Sequence, residues 1–264
     1  MKDDYGQCRF RVRMVWGSAG ATAAVRRGDI AVVVDVLSFT TSLNVATDRG
    51  TKVYPYAFGA GSAIEHARRL DATLAVGRRQ VGSAGGVSLS PASILAATPV
   101  ERLVLPSPNG SAISFGLTDA GATVVGACLR NRAAVATWLR TPLVDDTNRA
   151  VTVVAAGEQW GDGSLRPAVE DLWGAGAVLA ALGDSGIGLS PESRTAAAAF
   201  GAVESSLESA LLDCVSGQEL VTTGFTDDVC IAAQLDVSDG VPVLEQGRFA
   251  AHRCCADTPG PAPR

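Results

Sequence analysis

Apolar residues gather in short continuous runs along this chain, and most runs lead through a polar turn into a segment with helical spacing. The clearest run, residues 29–37 (DIAVVVDVL), is rich in β-branched side chains, as expected of a parallel strand buried on both faces. Residues 38–42 (SFTTS) then open a helix running to about Asp48. Further strands are predicted at 51–56, 72–76, 103–105, 123–127 and 151–156. Helices are predicted at 60–70, from the 106–111 turn through Leu117, at 130–139 with Asn131 as its cap, and within 162–182. Residues 191–212 read as an alanine-rich helix broken near Gly201. Residues 8–16 alternate charged and apolar side chains and predict an edge strand, while 241–244 and 247–249 predict a last strand or edge. Between them lies a flexible polar loop at 77–90, after which Pro91 starts a short helix. Strand, turn and helix repeat in this order, which predicts an α/β fold with a parallel sheet.

Composition acts mainly by exclusion. A chain of 264 residues supports one large α/β domain, here 1–256, with two subdomains meeting near 145–150 as the other division. Residues 257–264 (DTPGPAPR) have the composition of a disordered tail. The net charge of −5 argues against a nucleic-acid partner, which calls for a basic stripe. The first residues lack the apolar core of a signal peptide, and no run reaches the roughly 20 apolar residues of a membrane span. Six cysteines are scattered without a Cys-x-x-Cys pair or zinc-like spacing, so they are expected to pack as small hydrophobes in a reducing compartment. A cytoplasmic protein with no membrane partner is expected; a homo-oligomer is compatible with the sequence.

The candidate chemistry is acidic. Neither His66, inside a predicted helix, nor His252, near the tail, is placed for catalysis. Ligands of open α/β sheets gather outside the carboxyl ends of the strands, and Asp35 stands there with the hydroxyls of Thr40 and Thr41. The plainer role for Asp35 is to satisfy turn amides. The turn ending in Asn109-Gly110-Ser111 precedes a helix and offers free amides and a positive dipole end to an anion, or else simple N-capping. After the 151–156 strand, Glu158, Asp162, Arg166, Glu170 and Asp171 crowd one strand-to-helix connection. Such carboxylates suit a hard cation such as Mg²⁺, although acidic residues also favour a helix's first turn on electrostatic grounds.

Taken in order, several pieces resemble the 2-phosphosulfolactate phosphatase family, the ComB-like phosphatases. They are Asp35-Val36-Leu37 with Thr40-Thr41, Pro108-Asn109-Gly110-Ser111, Asn131, and Ala156-Gly157-Glu158. Glu170-Asp171 with Gly174-Ala175-Gly176, then residues 216–220 (SGQEL) and Asp227-Asp228-Val229, complete the set. The resemblance implies a three-layer α/β/α fold with a largely parallel sheet, Mg²⁺ dependence and hydrolysis of a phosphate ester on a small 2-hydroxy acid. Asp35, Glu158 and Asp171 are then the expected metal ligands, and Asp35, Glu170 and Asp228 the expected catalytic carboxylates. Thr40, Thr41, Asn109, Gly110, Ser111 and Arg166 are expected to bind the anionic substrate. Three departures stand out. Ser38 replaces the family's arginine, Gly77-Arg78 replaces Gly-Glu, and the loop from Gly85 to Pro91 is reduced from a longer Gly-Phe-Asp-x-Gly-Asn-Ser-Pro pattern. They could alter the substrate, weaken catalysis or abolish it, which leaves a non-catalytic metal- or anion-binding homologue as the alternative. Arg78 or Arg79 could also reach across to supply the missing cation.

Overall fold

The computed structural model describes residues 4–57, 62–80, 86–183 and 186–253. The predicted tail, Gly85 and the start of the 60–70 helix lie outside these, as does the side chain of Arg79. The strands are β1 (Val12–Trp16), β2 (Ile30–Val34), β3 (Lys52–Tyr56), β4 (Thr73–Leu74), β5 (Arg102–Pro106), β6 (Thr123–Ala127) and β7 (Val151–Ala155). A small hairpin, β8 (Glu158–Gln159) and β9 (Leu165–Arg166), follows, and β10 (Gly240–Glu245) and β11 (Arg248–Arg253) close the chain. The helices are α1 (Gly17–Ala24), α2 (Phe39–Asp48), α3 (Ala63–Leu70), α4 (Pro91–Ala96), α5 (Gly110–Asp119) and α6 (Arg132–Asp145). They continue with α7 (Val169–Leu182), α8 (Pro191–Gly201), α9 (Leu207–Asp213), α10 (Val215–Thr222) and α11 (Thr226–Ala232).

Nine strands form one sheet in the order β1-β7-β2-β6-β10-β11-β3-β5-β4. Within the blocks β1-β7-β2-β6 and β3-β5-β4 every pairing is parallel. The two blocks are joined by the β10–β11 hairpin, antiparallel to β6 on one side and to β3 on the other. The segments 241–244 and 247–249, expected as a last strand or edge, are the last strands of the chain but lie at the centre of the sheet, not at an edge. Helices cover both faces, giving a three-layer α/β/α fold. Alternation along β2 assigns the layers: Ile30, Val32 and Val34 join a core with residues of α6, α7 and α8. Ala31 and Val33 join a second core with residues of α1, α2 and α5. No helix among the described residues is long and apolar enough to cross a membrane.

Other details depart from the periodicity. β1 is at an edge, yet Arg13 is only 6% exposed. Its guanidinium donates to the carbonyls of Phe10 and Ala24 at 2.8 Å each, which makes burial of the charge tolerable. Asn131 does not cap α6: its side chain accepts from Cys128 N at 2.9 Å and donates to Gly240 O at 3.0 Å, tying β6 to the start of β10. The 191–212 segment breaks after Gly201, as read, into α8 and α9. α7 and α8 meet backbone to backbone at Gly176, where an added Cβ would collide with the carbonyl of Ala196.

Candidate active site

β2 is buried along its whole length, so Asp35, the first residue after it, is delivered to the sheet's end beside two helix starts. Asp35 Oδ1 accepts from Phe39 N, the first residue of α2, and Oδ2 accepts from Gly110 N, the first of α5, each at 3.0 Å. Two helix N-termini thus converge on one carboxylate, the end of a helix that favours negative charge. Only glycine fits at 110: a Cβ there would stand 2.8 Å from Asp35 Oδ2 and closer still to the Phe39 ring. The Gly110 amide, expected to meet a substrate anion, here holds a carboxylate of the chain itself. The hydroxyls of Thr40 and Thr41 are turned inward, donating to Asp35 O at 2.8 Å and Val36 O at 2.7 Å. Ser111 likewise donates to Leu105 O at 2.9 Å and is fully buried. These three hydroxyls shape the loops that present Asp35.

Asp171, on the first turn of α7, joins two strand ends. Its Oδ1 accepts from Val36 N at 2.7 Å and its Oδ2 from Gly157 N at 2.8 Å. Burial raises its pKa well above the ordinary value, and the charges of Asp35 and Glu170 push the same way. Asp35 is also raised by burial, against the pull of the Phe39 and Gly110 amides and of the Arg78 charge. Glu158 begins β8 and accepts from Asn109 Nδ2 at 2.9 Å. Burial, and next the charge of Asp35, push it up to about 7. Glu170 is 2% exposed, and the only donor to it among the described residues is the Cys214 thiol, 3.6 Å from Oε2. That weak donor leaves a buried carboxylate poorly satisfied.

Two arginines flank these acids. Arg166 is paired across the β8–β9 hairpin with Glu158, lowers its pKa, and lies over the Trp160 ring at 5.9 Å. Arg78 meets the expected catalytic residue Asp228, on α11, with Nε 3.0 Å from Oδ2. Asp228 Oδ1 accepts from Ser90 Oγ at 2.6 Å and from Ala92 N at 3.2 Å. The structure thus brings Asp35, Glu158, Glu170 and Asp171 within electrostatic reach of one another, with Asn109, Gly110 and Arg166 beside them. Asp228 stands on the far side of Arg78. A cavity of about 210 Å³ opens over Glu158, Asn109, Gln159 and Pro108, and one of about 510 Å³, also lined by Pro108, lies by Arg78. Sequence reasoning missed Ser90, Cys214 and Gln159 as partners of Asp228, Glu170 and Asn109. No spacing could have revealed them, because the partners stand 138, 44 and 50 positions apart. Among the described residues, no group of three or more His, Cys, Asp or Glu is arranged so that it could hold a metal ion.

The raised carboxyls make stability pH-dependent. Glu158 titrates at an ordinary 4.5 when unfolded and at about 7 when folded. The folded state therefore holds a proton that the unfolded chain has released. The stabilisation is complete below the unfolded value and is lost as pH rises through the folded one. In chelator, the wild type should be more stable at about pH 5.5 than at about pH 8, Glu158 alone contributing on the order of 2–3 kcal/mol. Denaturation of Glu158→Gln across the same range should give a flatter profile. Parallel profiles for the two proteins would remove Glu158 as the source.

The sequence model of the family described as 2-phosphosulpholactate phosphatase matches residues 20–247. A curated 2-phosphosulfolactate phosphatase from Methanothermobacter thermautotrophicus is 28% identical over 227 residues, covering 83% of this chain and 88% of the relative.

Proposed function

The chain belongs to the 2-phosphosulfolactate phosphatase family and is a phosphoric monoester hydrolase, and from that premise we infer that it hydrolyses the phosphate ester of a small 2-hydroxy acid with the help of Mg²⁺. The observation that carries the reading is Asp35, a buried carboxylate fixed by two helix N-termini and crowded by the charge of Glu170. Mg²⁺ is commonly held by one or two carboxylates completed by water and substrate phosphate, so a preformed cage of three is not required. Asp35 and Glu170 suit that role: both are buried oxygen donors, they repel each other, and among the described residues Glu170 has no strong donor of its own. When bound, the ion would neutralise the phosphoryl group and polarise its oxygens.

The remaining groups act around the phosphate. Glu158 lines the smaller cavity and titrates near 7, which suits a residue that passes a proton to or from the reacting oxygen at neutral pH. Asn109 orients Glu158 through its amide nitrogen, and Arg166 supplies positive charge at the same end. Asp171 keeps Val36 and Gly157 in place and so fixes the distance between Asp35 and the β8 strand. The test is phosphate release from 2-phosphosulfolactate and 2-phospholactate with Mg²⁺, with EDTA, and after Mg²⁺ is restored. Release should stop in EDTA and return with the metal. No release from either ester under any condition would favour a non-catalytic anion-binding protein, and release indifferent to EDTA would remove the metal.

A further inference from the structure

We propose that Arg78 is the specificity-determining residue of this site, gripping a second oxyanion of the phosphate ester, and that Asp228 and Ser38 are its positioning residues. The proposal rests on the phosphatase reading and adds which ester the site prefers. Arg78 sits on a single 3₁₀ turn, Arg78–Gln80, and is held from three sides. Nε donates to Asp228 Oδ2 at 3.0 Å, Nη2 donates to Ser38 Oγ at 2.6 Å, and the guanidinium carbon lies 5.7 Å from the Phe225 ring centre. Asp228 is itself fixed by Ser90 and Ala92, and its side chain is 1% exposed. A buried carboxylate costs a great deal to desolvate, and a well-packed apolar pair would fill the same space at no such cost. Four donors trained on Asp228 and Ser38 therefore look like orientation of the guanidinium plane.

The side chain borders a cavity. The Arg78 side chain is 20% exposed and lines the 510 Å³ cavity with Leu89, Pro106 and Pro108. No partner for Nη1 occurs among the described residues, so that nitrogen and part of Nη2 remain available. Two adjacent N–H groups in a fixed plane match a carboxylate or sulfonate as a bidentate pair. Arg78 also acts electrostatically on Asp35, whereas Arg166 acts on Glu158, so the two cations serve different ends of the site. A substrate with a phosphate at one end and a second acid a few bonds away fits that division.

The experiment compares 2-phospholactate with isopropyl phosphate, which differ by a carboxylate in place of a methyl group. Arg78→Ala should raise KM for 2-phospholactate by about 30- to 100-fold more than KM for isopropyl phosphate, whereas any change in kcat through Asp35 should be shared by both esters. Arg78→Lys keeps the charge without the fork and should recover only part of the preference. Asp228→Asn should narrow the preference between the two esters, which a purely structural role would leave unmoved. Equal losses on both esters, or a wild type with no preference for the acid, would overturn the proposal and leave the phosphatase reading intact. Calorimetric binding of 2-phospholactate in EDTA keeps the test independent of turnover. If the wild type hydrolyses neither ester, the phosphatase reading fails. The proposal for Arg78 then stands if Arg78→Ala weakens this binding by a similar factor and falls if binding is unchanged.

Discussion

Asp171→Ala should be among the most destabilising single changes in the protein, costing roughly 2–5 kcal/mol in urea denaturation at neutral pH. The reason is topological as much as energetic. β2 and β7 are adjacent parallel strands, and the chain leaves each at the same end of the sheet, where no further strand can pair with the departing amides. Val36 N and Gly157 N are the amides left over, both in buried residues, and the two oxygens of Asp171 take one each. Removing the carboxylate strands both donors at about 1–3 kcal/mol apiece. Part of this is offset, because Asp171 is itself a buried acid crowded by Asp35 and Glu170. Asp171→Asn should fall between, since its one carbonyl oxygen can serve one amide while its NH₂ group confronts the other. A loss below about 0.5 kcal/mol for the alanine variant would mean that water or a loop shift satisfies both amides.

The same residue shows what the sequence could and could not reveal. β2 was legible because nothing but a two-sided buried strand calls for a run like residues 30–34, and a charged residue ending such a run is conspicuous. The acids after β7 were legible for a similar reason. Direction was not legible. Thr40, Thr41 and Ser111 stand where hydroxyls meet ligands in many α/β proteins, yet all three bond to nearby backbone carbonyls, Asp35 and Val36 for the threonines and Leu105 of β5 for Ser111. Residue type and position relative to a helix start are the same in both cases; only the rotamer differs. The central place of β10 and β11 was hidden by their short runs and by Pro242, which lacks a donor and points to an edge. Pairing with β6 uses only Val243 and Leu244, and so tolerates that proline. The link between Arg78 and Asp228 joins positions 150 apart, and no local pattern carries such a distance.

Asp35→Asn should lower kcat on any accepted phosphate ester by about 10³-fold while leaving the protein folded. The substitution keeps the shape of the side chain, so the narrow space between the Phe39 ring and Gly110 is not disturbed. It removes one acceptor, because the new NH₂ must face either Phe39 N or Gly110 N, at a cost of about 1–3 kcal/mol. Loss of the charge works the other way, relieving the repulsion that Asp35 exerts on Glu158 and Asp171. The net stability change should thus be small, and the Glu158 carboxyl should titrate below its present value of about 7. A carboxyl-selective spectroscopic titration in chelator can read that shift without any turnover. If Asp35 also holds the metal with Glu170, thermal stabilisation by Mg²⁺ should shrink or vanish in the variant. Near-normal turnover in Asp35→Asn would take the reaction away from the end of β2. Lost turnover with undiminished Mg²⁺ stabilisation would keep Asp35 in the chemistry and move the ion to other carboxylates.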